Sequence, residues 1–175
     1  MIYIIRHGQT DWNVEGRYAG RIDVKLNEKG KKQAEEIRKK LENTKFDFVI
    51  SSPLTRAKET AEIICGDRNT IEIDERIIER SNGDLEGKLK TEIKENVDFN
   101  DPNETKYNIE SITDFRNRIY DFLKDIQEKY KGKNVLIVTH AGVSIYCRCF
   151  FEGEPESNNY NDYKLNNCEV LEYDN

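Results

Sequence analysis

The chain has 175 residues, 36% of them hydrophobic and 35% charged, with a formal net charge of -6. That length suits one domain over residues 1–175, and the recurring apolar runs separate the chain from disordered sequences. The acidic balance excludes the basic footprint that nucleic-acid or anionic-membrane binding needs, and no apolar stretch approaches the roughly 18 residues of a membrane span.

Ile2–Arg6 is a short apolar run with β-branched and aromatic residues, the pattern of a buried strand. It is too short for a signal peptide and has no basic n-region, so the expected location is cytoplasmic. Gly8 to Leu26 carries Gly8, Gly16 and Gly20 without helical periodicity and reads as a functional loop. Asn27 then suits an N-cap, with Ala34, Ile37 and Leu41 recurring at helical spacing. Phe46–Ile50 reads as a second strand. Pro53 opens a helix whose face is Ala57, Ala61 and Ile64 and which Gly66 stops.

Thr70–Ile73 is expected as a short third strand, and Asp74–Tyr107 as loops with one short helix and a lid. Ser111 caps a long helix with the stripe Ile112, Phe115, Ile119, Phe122, Ile126 and Tyr130, ended by Gly132. Val135–Val138 is a strand, Val143–Phe151 a helix, residues 152–163 a polar loop and Glu169–Tyr173 a final strand. Strands alternating with helices indicate an α/β sandwich around a largely parallel sheet. Cys65, Cys147, Cys149 and Cys168 lie in or near apolar runs, and none has partners at zinc-ligand spacing. They are expected as reduced, buried thiols, with no metal site.

The chain has two histidines, His7 and His140, and each directly follows a predicted strand. In open α/β sheets, ligands bind beyond the carboxyl ends of strands near a switch in strand order, so the two can face each other across a crevice. The plainer alternative is a pair of structural or surface histidines. Arg6 precedes His7, and Gly8 lets the backbone approach a ligand. Arg56 lies at a strand-to-helix turn, where a helix N-terminus favours anions and the guanidinium fork suits phosphate oxygens.

These residues belong to longer motifs. Arg6-His7-Gly8-Gln9-Thr10 with Trp12-Asn13, Ser52-Pro53-Leu54-Thr55-Arg56-Ala57 with Thr60-Ala61, Glu79 with Gly83, Leu85, Glu86 and Gly87, and Thr139-His140-Ala141-Gly142 follow in order. Together they resemble the histidine phosphatase superfamily, the phosphoglycerate mutase-like enzymes with an Arg-His-Gly signature. The resemblance implies a three-layer α/β/α sandwich, mostly parallel with an antiparallel edge strand.

It also implies His7 as nucleophile, becoming phosphohistidine. Arg6, Arg56 and His140 would hold the phosphoryl oxygens, helped by Asn13, the backbone at Gly20 and Ala141. Glu79 would protonate the leaving group, with Asp84 and Glu86 as competitors in the same segment. Phosphoryl transfer needs mainly positioning and charge stabilisation, which two arginines and a protonated His140 can supply. The nucleophile must be neutral at its attacking nitrogen, with its other nitrogen bonded to an acceptor. The expected activity is metal- and cofactor-independent hydrolysis of a small phosphorylated metabolite, by a monomer or homodimer that binds neither nucleic acid nor membrane.

Two alternatives stand beside it, a phosphoglycerate mutase and a non-catalytic phosphate-binding module. Mutases of the family carry a longer insertion with an arginine pair, whereas Lys88–Glu110 holds only Lys88, Lys90, Lys94 and Lys106 as basic residues. Asp98, Asp101 and Glu104 make that stretch acidic, which disfavours a polyanion unless the lysines face inward.

Overall fold

Side-chain alternation along β1 (Ile2–Arg6) and β4 (Val135–Thr139) sets the layers in this computed structural model, which describes residues 1–95, 97–99, 101, 104 and 106–175. Ile2, Ile4, Val135 and Ile137 pack on one side against α4 (Ile112–Lys129) and α5 (Ala141–Glu152). Ile5, Leu136 and Val138 pack on the other against α2 (Glu28–Lys40) and α3 (Thr55–Cys65). Strands buried on both faces need continuous apolar runs, as the sequence has here. The result is a three-layer α/β/α arrangement.

The sheet also contains β2 (Phe48–Ser51), β3 (Ile71–Ile73) and β5 (Val170–Tyr173), in the order β3-β2-β4-β1-β5. β1, β2, β3 and β4 are mutually parallel, and β5 pairs antiparallel with β1. The connection from β1 to β2 runs through α2, and that from β3 to β4 through α4, on the opposite face. The neighbours β1 and β4 therefore flank the switch in strand order, with Arg6 level with Thr139. Among the described residues, no helix is long and apolar enough to cross a membrane.

Asn27 and Ser111 cap α2 and α4 as read, accepting from the Gly30 and Asp114 amides. Elsewhere the boundaries move. The expected loop Gly8–Leu26 contains α1 (Asp11–Glu15), closed by a reciprocal pair between Thr10 and Asn13. A five-residue helix has no room for an apolar repeat, so periodicity misses it. Between Asp74 and Tyr107 there are 3₁₀ turns at Glu75–Ile77, Gly83–Leu85 and Lys90–Glu92, with another at Lys106–Asn108, instead of one short helix. Asn96, Asn100, Pro102, Asn103 and Thr105, in the stretch read as a lid, lie outside the described residues. The helix expected from Val143 begins at Ala141, because β4 passes into it through His140 alone.

Candidate active site

β1 delivers His7 and β4 delivers His140, leaving their rings 5.2 Å apart between centroids. The His7 amide continues the β1–β4 ladder, donating to the Thr139 carbonyl at 2.9 Å. Its ring Nδ1–H donates to the Gly8 carbonyl at 2.7 Å, which leaves the lone pair on Nε2. Burial, reinforced by the Arg56 and Arg6 charges, pushes its pKa well below 6.5. His7 is therefore neutral at physiological pH, as a nitrogen nucleophile must be.

His140 corrects one expectation. Burial, followed by the charges of Arg56, His7, Arg6 and Arg118, pushes its pKa well below 6.5 as well, so the protein alone keeps it neutral rather than protonated. Its Nε2 lies 2.6 Å from the Ser52 hydroxyl, which itself accepts from the Leu54 amide. Ser52 thus donates its proton to Nε2, and the ring proton falls on Nδ1, which is buried without a protein partner. A neutral His140 still presents an N–H donor.

The arginines arrive from two directions and are clamped by carbonyls. Arg6 donates through Nη1 to Leu165 at 2.8 Å. Arg56, only 2% exposed and second in α3, donates to Ile22 at 2.9 Å and Gly20 at 2.7 Å. Each keeps a buried Nε–H unpartnered. One turn along α3, Thr60 accepts from the Gly8 amide at 3.0 Å and donates to the Arg56 carbonyl. The Gly8 requirement lies here: a Cβ would stand 2.5 Å from the Gly30 carbonyl of α2, so the glycine serves helix packing beneath the loop.

Glu79 reaches the N-terminus of α5. Its Oε2 accepts from the Gly142 amide at 3.1 Å and its Oε1 from the Arg80 amide at 2.9 Å. The competing carboxylates are occupied elsewhere. Asp84 accepts from Asn108 at the exposed surface. Glu86 accepts from the Arg21 and Asn82 amides, bracing the Gly20 loop against the Glu79 segment. Of the three, only Glu79 lines the cavity.

That cavity is about 460 Å³, and Arg6, His7, Asn13, Gly20, Arg56, Glu79 and Ala141 all line it. His140 stands fully buried beside His7 and is not part of the lining. The Asn13 carbonyl oxygen is taken by the Thr10 amide and by Asn167, so its amide nitrogen is the end left for the cavity. The remaining wall went unread in the sequence: Arg17, Tyr18, Arg80, Lys90 and Lys164 also face the cavity. Asn167 was missed too, and it donates to the His7 carbonyl at 2.9 Å from 160 residues away. No spacing pattern could have pointed to it. Trp12 lies outside the lining, with its ring edge near Gly87.

Two strand-end histidines, two carbonyl-clamped arginines and a carboxylate on a helix N-terminus belong together in one enzyme class. The profile of the histidine phosphatase superfamily (branch 1) matches residues 2–174, and the chain belongs to that family. Phosphoserine phosphatase 1 of Hydrogenobacter thermophilus is 34% identical over 147 residues, covering 79% of this chain and 70% of that protein. The adenosylcobalamin/alpha-ribazole phosphatase of Escherichia coli is 32% identical over 150 residues, covering 81% and 74%. The crystal structure of phosphoserine phosphatase from Entamoeba histolytica in complex with 3-phosphoglyceric acid has a TM-score of 0.83 at 27% identity, covering 97% of this chain and 87% of that one.

Proposed function

We propose that the chain is a phosphomonoester phosphatase that hydrolyses a small phosphorylated metabolite through a phosphohistidine at His7. One observation carries this. Of the five buried side-chain polar atoms without a protein partner among the described residues, four are Arg6 Nε, Arg56 Nε, Arg80 Nη2 and His140 Nδ1. Arg6, Arg56 and Arg80 line the same cavity as His7, and His140 stands beside it. Buried donors are normally satisfied, and an oxyanion is the ligand that satisfies several at once.

In the first step His7 Nε2 attacks phosphorus in line with the ester oxygen, forming the N–P bond as the P–O bond breaks. The departing alkoxide takes the proton of the Glu79 carboxyl. Charge on the equatorial oxygens is met by Arg6, Arg56, the His140 Nδ1–H and the Asn13 amide. In the second step water attacks phosphorus, giving its proton to the Glu79 carboxylate. The N–P bond breaks, and phosphate leaves with His7 neutral again. No step calls for a metal or cofactor. The same reading takes residues 1–175 as one domain working in the cytoplasm, as a monomer or homodimer. A mutase would instead return the phosphoryl group to a second substrate oxygen, and the lack of arginine in Lys88–Glu110 weighs against it.

The test is rapid quenching with phosphorus-labelled para-nitrophenyl phosphate in EDTA, followed by alkaline digestion. Label is expected on His7, and His7→Ala should lose turnover. Turnover with no label at position 7, or activity only after adding a divalent cation, overturns the proposal.

A further inference from the structure

Arg80 has a role that phosphate binding by Arg6 and Arg56 leaves unexplained. It is 7% exposed, lines the cavity and makes no ion pair among the described residues. Its Nε donates to the Glu110 carbonyl at 2.9 Å and its Nη1 to the Phe99 carbonyl, with the Phe99 ring packed over the guanidinium. The neighbouring carboxylates are engaged elsewhere: Glu110 holds Arg118 and Arg21, and Glu79 accepts from the Arg80 and Gly142 amides. Nη2 remains buried without a partner. A buried cation left without a counter-charge is costly, and a ligand anion would remove that cost.

Lys164 and Lys90 stand on the wall of the same cavity, at its exposed rim. Lys164 adjoins Leu165, whose carbonyl holds Arg6 and whose amide donates to Ser144, so its backbone is fixed next to the phosphate cradle. Crowding by the protein, and then the charges of Arg6 and Lys90, lower its pKa, while Glu79 opposes them. Neither lysine forms an ion pair among the described residues. Asp98, the wall's other carboxylate besides Glu79, has a partner of its own.

Resting on the phosphatase reading, we infer that Arg80, Lys164 and Lys90 form a second oxyanion subsite, so that the substrate is a phosphomonoester bearing a further carboxylate or phosphate on the same small molecule. Arg80 supplies one buried donor, and the lysines add mobile charge at the mouth. Glu79 lies next to Arg80 in the chain and shares the cavity wall, so the second anion would sit on the leaving-group side of the phosphoryl centre.

Two matched pairs test this by phosphate release from the full chain: 3-phosphoglycerate against glycerol 3-phosphate, and glucose 1,6-bisphosphate against glucose 1-phosphate. At least one doubly anionic member should have kcat/KM about tenfold or more above its partner, the size expected of a lost charge-assisted hydrogen bond. The preferred pair names the second group. Arg80→Lys and Lys164→Met should each shrink that ratio several-fold, whatever their effect on kcat itself. The rim variant keeps the test decisive if the buried one does not fold. Equal kcat/KM within both pairs, or a ratio that both variants leave intact, overturns the subsite. Failure of all four substrates and of para-nitrophenyl phosphate would instead count against the phosphatase itself.

Discussion

Gly142→Ala isolates the position of the proton donor from every other part of the site. A Cβ at residue 142 would lie 2.5 Å from Glu79 Oε1 and 3.2 Å from the Phe115 ring, whereas ordinary contact begins at 3.4 Å. The carboxyl group must therefore retreat by about 1 Å, and its 3.1 Å bond from the Gly142 amide stretches or breaks. A displacement of about 1 Å at a reacting group is worth roughly a hundredfold in rate, or about 2.7 kcal/mol. The fold should survive, because alanine is favoured over glycine within a helix by about 1 kcal/mol, which offsets the crowding at Phe115. The assay is kcat for an alkyl phosphomonoester, whose alkoxide needs the proton, beside kcat for para-nitrophenyl phosphate, whose phenolate does not. A loss near a hundredfold for the first and under about tenfold for the second is expected. Equal losses, or none, would refute the placement of the acid at Glu79.

Ser52→Ala removes the hydroxyl that fixes the His140 tautomer at 2.6 Å. It should lower kcat about tenfold, with the imidazole proton shifting toward Nε2 in nitrogen NMR spectra, and an unchanged tautomer would remove Ser52 from the mechanism. Stability should also track the two histidines. Both titrate well below 6.5 in the native state, held down chiefly by burial. Between those depressed values and about 6.5, the unfolded chain binds protons that the native chain does not, so stability falls as pH drops. The slope is at most about 1.4 kcal/mol per histidine per pH unit, and it vanishes above 6.5. Urea unfolding at pH 7.0 and 5.5 should show this loss, and a His7→Asn/His140→Asn double variant should flatten it. An unchanged slope in that variant would assign the effect to the carboxylates.

The sheet was legible because its central strands are buried on both faces and so cannot avoid apolar runs. Ile2–Arg6 and Val135–Val138 announce themselves, and α4 does so through a stripe spanning five turns. The catalytic cluster was legible because each of its motifs sits at a strand end, within a few residues of chain. The loops between them were not. α1 is closed by one reciprocal hydrogen-bond pair, and the 3₁₀ turns after Asp74 form where single backbone bonds close, as from Leu85 to Asn82 and Glu86 to Gly83. Gly8 was read as making room for a ligand, whereas its space is filled by the α2 backbone. The outer wall was opaque for another reason: Arg17, Arg80, Lys90 and Lys164 come from four separate stretches, and only tertiary folding gives them a common face.

The chain's last strand has a bearing on when the enzyme becomes competent. Asn167 secures the His7 carbonyl, Cys168 donates its amide to the Arg6 carbonyl, and β5 then zips along β1. The first strand to leave the ribosome thus waits for one of the last before the nucleophile's loop is locked. A nascent chain halted short of residue 166 would carry all four motifs and still hold its reactive imidazole on an unfinished sheet edge.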